Sequence, residues 1–149
     1  MSVTHWLAAS PERVFDAWLD PLHAGEWLFA TGAGSMVRLE IDARPGGKFL
    51  FVDRRPGPSG SVEDIEHHGT YVALERPHHL VFDFSVPRYA AHADRVTVHI
   101  AARGRGSELT LSHELAPAPD GDDELLRDRA RDGWNAVLEG LAAHLESSR

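Results

Sequence analysis

Apolar residues along this chain follow two rhythms: alternation over most of its length, and a helical period at its end. Val3, His5 and Leu7 alternate with Thr4, Trp6 and Ala8, which predicts a first strand. Ser10-Pro11 supplies an N-cap followed by proline in the first helical position, and the short helix after it gathers Val14, Phe15 and Trp18 near one side. Asp20-Pro21 repeats that start signal for a second short helix carrying Leu22, Trp27 and Leu28. After a glycine-rich stretch at 31–35, Val37, Leu39 and Ile41 alternate with Arg38, Glu40 and Asp42. Pro45-Gly46-Gly47 marks a turn, and Phe49 and Phe51 lie on the returning strand. Residues 55–60 (RPGPSG) read as a loop, residues 67–74 as a strand bearing Tyr71, and Pro77 as the next turn. Leu80, Phe82 and Phe84 alternate with Val81, Asp83 and Ser85, and residues 87–94 read as another loop.

The next two strands can be set in register. Val96, Val98 and Ile100 share one face, and Leu109, Leu111 and His113 share another. Both sets face the same side only if opposed residue numbers sum to an odd value. A two-residue turn at Arg105-Gly106 meets that condition and predicts Ile100 opposite Leu111 and Val98 opposite His113, with His113 in an apolar row.

From residue 122 onward the rhythm changes. At about 100° per residue, Leu126, Ala130, Trp134, Val137, Leu138, Leu141 and Leu145 share one arc, and Asp128, Asp132, Asn135, Glu139 and Glu146 oppose them. Gly133 and Gly140 lie at the edge of the apolar arc. A mid-helix glycine costs about 1 kcal/mol relative to alanine. It signals either a close approach by another element or an open space. The layer rule then predicts an α+β fold in one domain over residues 1–149: a curved antiparallel sheet of about six to seven strands gripping a long C-terminal helix, with two short helices after the first strand.

Composition narrows the function. The 149 residues suit one core. No run is apolar enough to span a membrane, and the N-terminus shows no secretory signal pattern. The absence of cysteine removes disulfides, thiolate metal sites and a cysteine nucleophile, and fits the cytoplasm. A net charge of −8 argues against nucleic acid and anionic membrane as partners. The chain is read as a monomer or homodimer.

Several segments, taken together and in order, carry a family resemblance. They are residues 9–18 (ASPERVFDAW), Asp20-Pro21, Trp27, residues 42–49 (DARPGGKF), Gly69-Thr70-Tyr71, Leu80-Val81-Phe82, Val96-Thr97-Val98, residues 109–113 (LTLSH) and Gly133-Trp134. The chain resembles the SRPBCC, or START-like helix-grip, superfamily. Within it, the closest branch is similar to activators of the ninety-kilodalton heat-shock chaperone ATPase. That resemblance implies a sheet-and-helix cavity and a family that includes lipid and hormone carriers, polyketide cyclases, self-resistance proteins and chaperone cofactors.

The leading expectation is a cavity for a small hydrophobic or amphipathic molecule, with Trp27, Phe49, Phe51, Tyr71, Phe82, Val98, His113, Trp134 and Val137 near it. Two alternatives stay open: a co-chaperone acting on a heat-shock chaperone ATPase, and a cyclase or hydrolase with His113 as acid or base. No catalytic residue and no cofactor is assigned. His67-His68 and His78-His79 read as solvated strand-end pairs, and no histidine spacing predicts a metal site. Asp42 and Arg44 read as turn chemistry, and the acidic run from Asp120 to Glu124 as a complement to the last helix's dipole.

Overall fold

The computed structural model describes residues 1–29, 34–88 and 92–147. Strand β1 (Ser2–Leu7) leads into helices α1 (Pro11–Leu19) and α2 (Pro21–Trp27). The Ser10 side chain accepts from the Arg13 amide and the Asp20 side chain from the Leu22 amide, so both short helices begin where serine or aspartate precedes proline. Six strands follow: β2 (Ser35–Ile41), β3 (Lys48–Pro56), β4 (Val62–Glu75), β5 (His79–Ser85), β6 (Asp94–Arg103) and β7 (Gly106–Glu114). Helix α3 (Asp123–Ser147) closes the described chain. Its first turn is held by the Asp122 carboxylate, which accepts from the Leu125 amide at 3.0 Å. Asp123 and Glu124 stand at the positive end of its dipole.

All seven strands form one curved antiparallel sheet in the order β1-β7-β6-β5-β4-β3-β2. The strands run on as hairpins from β2 to β7, and β1 returns to pair with β7. The architecture is the α+β arrangement expected from the alternation. Leu109, Leu111, Val96, Val98, Ile100, Leu80, Phe82, Phe49 and Phe51 bury on the side of the sheet that faces the helices. There they meet Val14, Phe15 and Trp18 of α1, Trp27 of α2 and Leu138, Leu141 and Leu145 of α3.

Four local expectations need correction. The β6–β7 hairpin pairs Ile100 with Leu109, Val98 with Leu111 and Val96 with His113, around a turn at Gly104-Arg105. The expected faces survive because the true register differs from the expected one by two residues. Gly104 has a φ of +60°, and glycine at the first central position is what a tight two-residue hairpin of this kind favours. Val37 does not join the row of Leu39 and Ile41. A bulge between Met36 and Arg38 leaves Val37 exposed and packs Met36 against the core instead. Residues 55 and 56 continue strand β3, and β4 begins at Val62, so the loop expected over 55–60 shortens to a single turn at 57–61. The expected glycine-rich stretch lies outside the described residues at 31–33, and Asp94 belongs to β6 rather than to the preceding loop.

Candidate functional site

Helix α3 is not uniformly seated. Trp134, Leu138, Leu141, His144 and Leu145 are buried, whereas the turns before Trp134 are largely exposed, with Leu126 and Ala130 half-buried. The two glycines separate along that division. A methyl group placed on Gly140 would rest at ordinary contact distance from Trp27, 3.8 Å from its carbonyl oxygen and 3.9 Å from its Cβ. One placed on Gly133 would meet nothing within 4 Å. Gly140 therefore marks packing against α2, and Gly133 marks open space.

That space is a pocket of about 520 Å3 between the sheet and the first half of α3. Phe29, His67, Phe84 and His113 line it from below. Arg129, Ala130, Gly133, Trp134 and Val137 line it from the helix. Its volume falls in the range of small-molecule sites, and its walls are mostly aromatic and aliphatic. Two other hollows differ in character. One of about 510 Å3 is bordered by Glu40, Asp42, Lys48, His68 and Asp83, and one of about 630 Å3 lies beside Met1, Glu114 and Arg127. Their many charged and backbone-rich borders suit solvent.

Of the residues expected near a cavity, His113, Trp134 and Val137 line this pocket. Trp27, Phe49, Phe51, Tyr71, Phe82 and Val98 lie in the packed core and are absent from its described lining. Trp27 stands edge-on to Trp18 with ring centroids 4.8 Å apart, and its indole N–H donates to the Ala17 carbonyl at 3.0 Å. Phe49 packs against Phe51, Tyr71 and Phe82, its ring lying over Gly69 on the neighbouring strand. Burial holds the Tyr71 hydroxyl well above its ordinary pKa, with Asp42 adding to the effect, so it stays protonated.

Phe29, His67 and Phe84 join the pocket without having been expected there. Phe84 shares the inward face with Phe82, two residues away, so alternation alone could have found it. His67 corrects the reading of solvated strand-end histidines. It is 9% exposed and stacks on Phe29 with centroids 4.5 Å apart and planes 12° apart. Burial lowers its pKa, so it stands neutral. Phe29 lies beyond the end of α2 with a φ of +58°, a left-handed backbone that is uncommon for a large side chain.

His113 has the polar neighbours that its sequence context could not assign. The Trp134 indole N–H donates to its Nδ1 at 2.9 Å, and its Nε2 lies 3.0 Å from Asp94 Oδ2. Since Nδ1 accepts, the neutral ring carries its proton on Nε2 and donates it to the carboxylate. Burial pushes the His113 pKa down, and Asp94 partly opposes that effect. Both ring nitrogens are thereby engaged within the protein. In this arrangement the imidazole presents no free lone pair to the pocket.

A second histidine cluster lies at the other end of α3. His144 Nε2 is 2.9 Å from His23 Nδ1, and His144 Nδ1 is 3.1 Å from Glu26. It ties α3 to α2. Among the described residues, no group of three or more histidine, aspartate or glutamate side chains is arranged to hold a metal.

Residues 8–146 match the family described as Activator of Hsp90 ATPase homolog 1-like protein. The chain belongs to that family. The SRPBCC-type affinity implied by the sequence motifs is thus shown. No curated protein sequence matches. Among solved structures, protein CV1439 from Chromobacterium violaceum is 27% identical, covering 96% of this chain and 94% of that one, with a TM-score of 0.79. A Rhodobacter sphaeroides protein is 22% identical over 99% of this chain and 93% of that one, also at 0.79. An HSP90 activator from Plasmodium falciparum is 21% identical over 98% of this chain and 95% of its own, at 0.71. The last two likenesses are of fold. No helix among the described residues is long and apolar enough to cross a membrane.

Proposed function

We propose that this member of the Activator of Hsp90 ATPase homolog 1-like family binds a small hydrophobic or amphipathic molecule between its sheet and the first half of α3. One observation carries the reading: Gly133 and Ala130 stand over an aromatic-lined pocket of about 520 Å3 instead of over packed side chains. Burial of apolar ligand surface supplies the affinity there. The cytoplasm is the expected place of action, which the absence of cysteine suits.

Native mass spectrometry and calorimetric titration test this reading, with Gly133→Leu as the control. The new side chain points into the open space and fills it, so binding is lost while the fold is kept. Equal binding by the variant places the ligand elsewhere, and no binding by the wild type to apolar compounds of several shapes refutes the proposal.

A second reading has support of a different kind, the family's own description and the Plasmodium falciparum HSP90 activator of like fold. It predicts stimulation of a purified heat-shock chaperone ATPase. It also predicts that Gly133→Leu leaves that stimulation intact, since a partner surface need not involve the pocket. No change in ATPase rate on saturating addition removes it.

A further inference from the structure

The pocket's walls are shaped for more than generic apolar burial. Phe29, His67 and Phe84 hold their rings in nearly one orientation. The planes of Phe29 and Phe84 are 4° apart with centroids at 5.1 Å, and those of His67 and Phe84 are 10° apart at 6.3 Å. Trp134 stands across this set, 63° from Phe84 with centroids at 5.9 Å. A wall of near-parallel rings with one ring across it rewards a flat guest through stacking and edge contacts. A flexible chain gains none of that geometry and loses rotamer freedom on entry.

Charge supplies the second observation. The pocket's lining includes one cation, Arg129. Among the described residues no carboxylate, hydroxyl or carbonyl is paired with its guanidinium, whereas Arg131, on the same helix, is paired with Asp128 at 3.3 Å. In a chain of net charge −8, an arginine with no partner among the described residues, at the border of an apolar pocket, offers its guanidinium to a ligand. A guanidinium is suited to carboxylate or sulfonate oxygens. His67 and His113, both held neutral by burial, add no competing charge inside.

We propose that the ligand of this pocket is a planar aromatic molecule bearing one anionic group, its ring aligned with Phe29, His67 and Phe84 and its charge at Arg129. This rests on the pocket being a binding site, and it names the chemical class that the site selects.

Three probes separate the components: 2-naphthoate, its neutral counterpart 2-naphthylmethanol, and decanoate, which has the charge without the ring. Affinities are measured calorimetrically at pH 7.5 for wild type, Arg129→Gln and Gly133→Leu, with thermal melts confirming that each variant is folded. Wild type binds 2-naphthoate more tightly than either other probe. Its advantage over the alcohol is about twofold to fivefold, as befits an ion pair with an exposed arginine. Arg129→Gln erases the advantage over the alcohol and preserves the ranking of aromatic ring over acyl chain. Gly133→Leu abolishes binding of all three. Decanoate binding as tightly as 2-naphthoate overturns the aromatic assignment, and an unchanged 2-naphthoate affinity in Arg129→Gln overturns the anionic one. Either result leaves the pocket reading standing if Gly133→Leu still abolishes binding. Failure of every probe to bind wild type overturns both.

Discussion

The three glycines that meet different surroundings give a direct measure of where this fold is open. In the interior of α3, Gly133 costs about 1 kcal/mol relative to alanine through backbone freedom and poor helix propensity. A methyl group there meets nothing within 4 Å, so no steric term offsets that gain. Gly133→Ala should therefore stabilise the protein by up to about 1 kcal/mol, an increase in Tm of roughly 2–4 °C for a chain of this size. Gly140→Ala should act in the same direction, because its methyl meets Trp27 at 3.8 Å and 3.9 Å, ordinary contact distances. Gly69→Ala should do the reverse. Gly69 pairs with Phe49 across β3 and β4, and the aromatic ring occupies the position of the missing methyl. The ring would be driven into its contacts with Phe51, Tyr71 and Phe82, at a cost of about 1–3 kcal/mol. Urea denaturation followed by far-ultraviolet circular dichroism gives all three values on one scale. Destabilisation by Gly133→Ala would mean that the space beside it is occupied by the protein, and the pocket would be refuted without any ligand being tried.

Further outcomes follow from the His113 network. Trp134→Phe removes the donor to Nδ1 while keeping most of the ring, and should cost about 1–3 kcal/mol in urea, the range for leaving a buried polar atom unsatisfied; a change under a few tenths would show that the bond contributes nothing. The folded pKa values of His113 and His67 lie below the ordinary 6.5, so the unfolded chain takes up protons first. Stability should be at its full value above about pH 6.5 and fall as the pH drops through the lower folded-state values. His113→Gln should flatten that fall in Tm between pH 7 and pH 5, and an unaltered slope would assign the effect to other groups. Asp94→Asn removes the charge that favours protonated His113, so the folded-state pKa should drop further, as read from the histidine's proton resonances on titration, and the loss of stability, still beginning near pH 6.5, should extend to lower pH.

Alternation and turn chemistry were enough to read the seven strands, both short helices and the long one, because each leaves a periodic mark in the residues themselves. The β6–β7 register shows where that reading stops. Moving one strand by two residues keeps every side chain on its face, so the hydrophobic pattern cannot choose between Ile100 opposite Leu109 and Ile100 opposite Leu111. Only the backbone demand of the turn at Gly104 decides it. The pocket was harder to find for a related reason. An inward aromatic looks the same in sequence whether it is packed, like Phe49 and Phe82, or borders a space, like Phe84. Trp134 and Val137 were legible through the helical arc and the glycine beside them. His67 was not, because its burial depends on Phe29, which reaches it from beyond the end of α2. Asp94 lies 19 residues before His113 and meets it only through the pairing of β6 with β7.

The sheet does not close on itself, so among the described residues β1 and β2 each present one edge without a neighbouring strand. Such borders invite a foreign strand to zip on and seed fibres. On β2 the bulge at Val37 breaks the even spacing of amide groups, and the exposed Arg38–Glu40 ion pair at 2.9 Å puts charge where an incoming chain would lie. The same irregularity that upsets the sequence pattern thus protects the molecule against fibrillation, and straightening it by deleting Val37 would expose a longer template for cross-β growth.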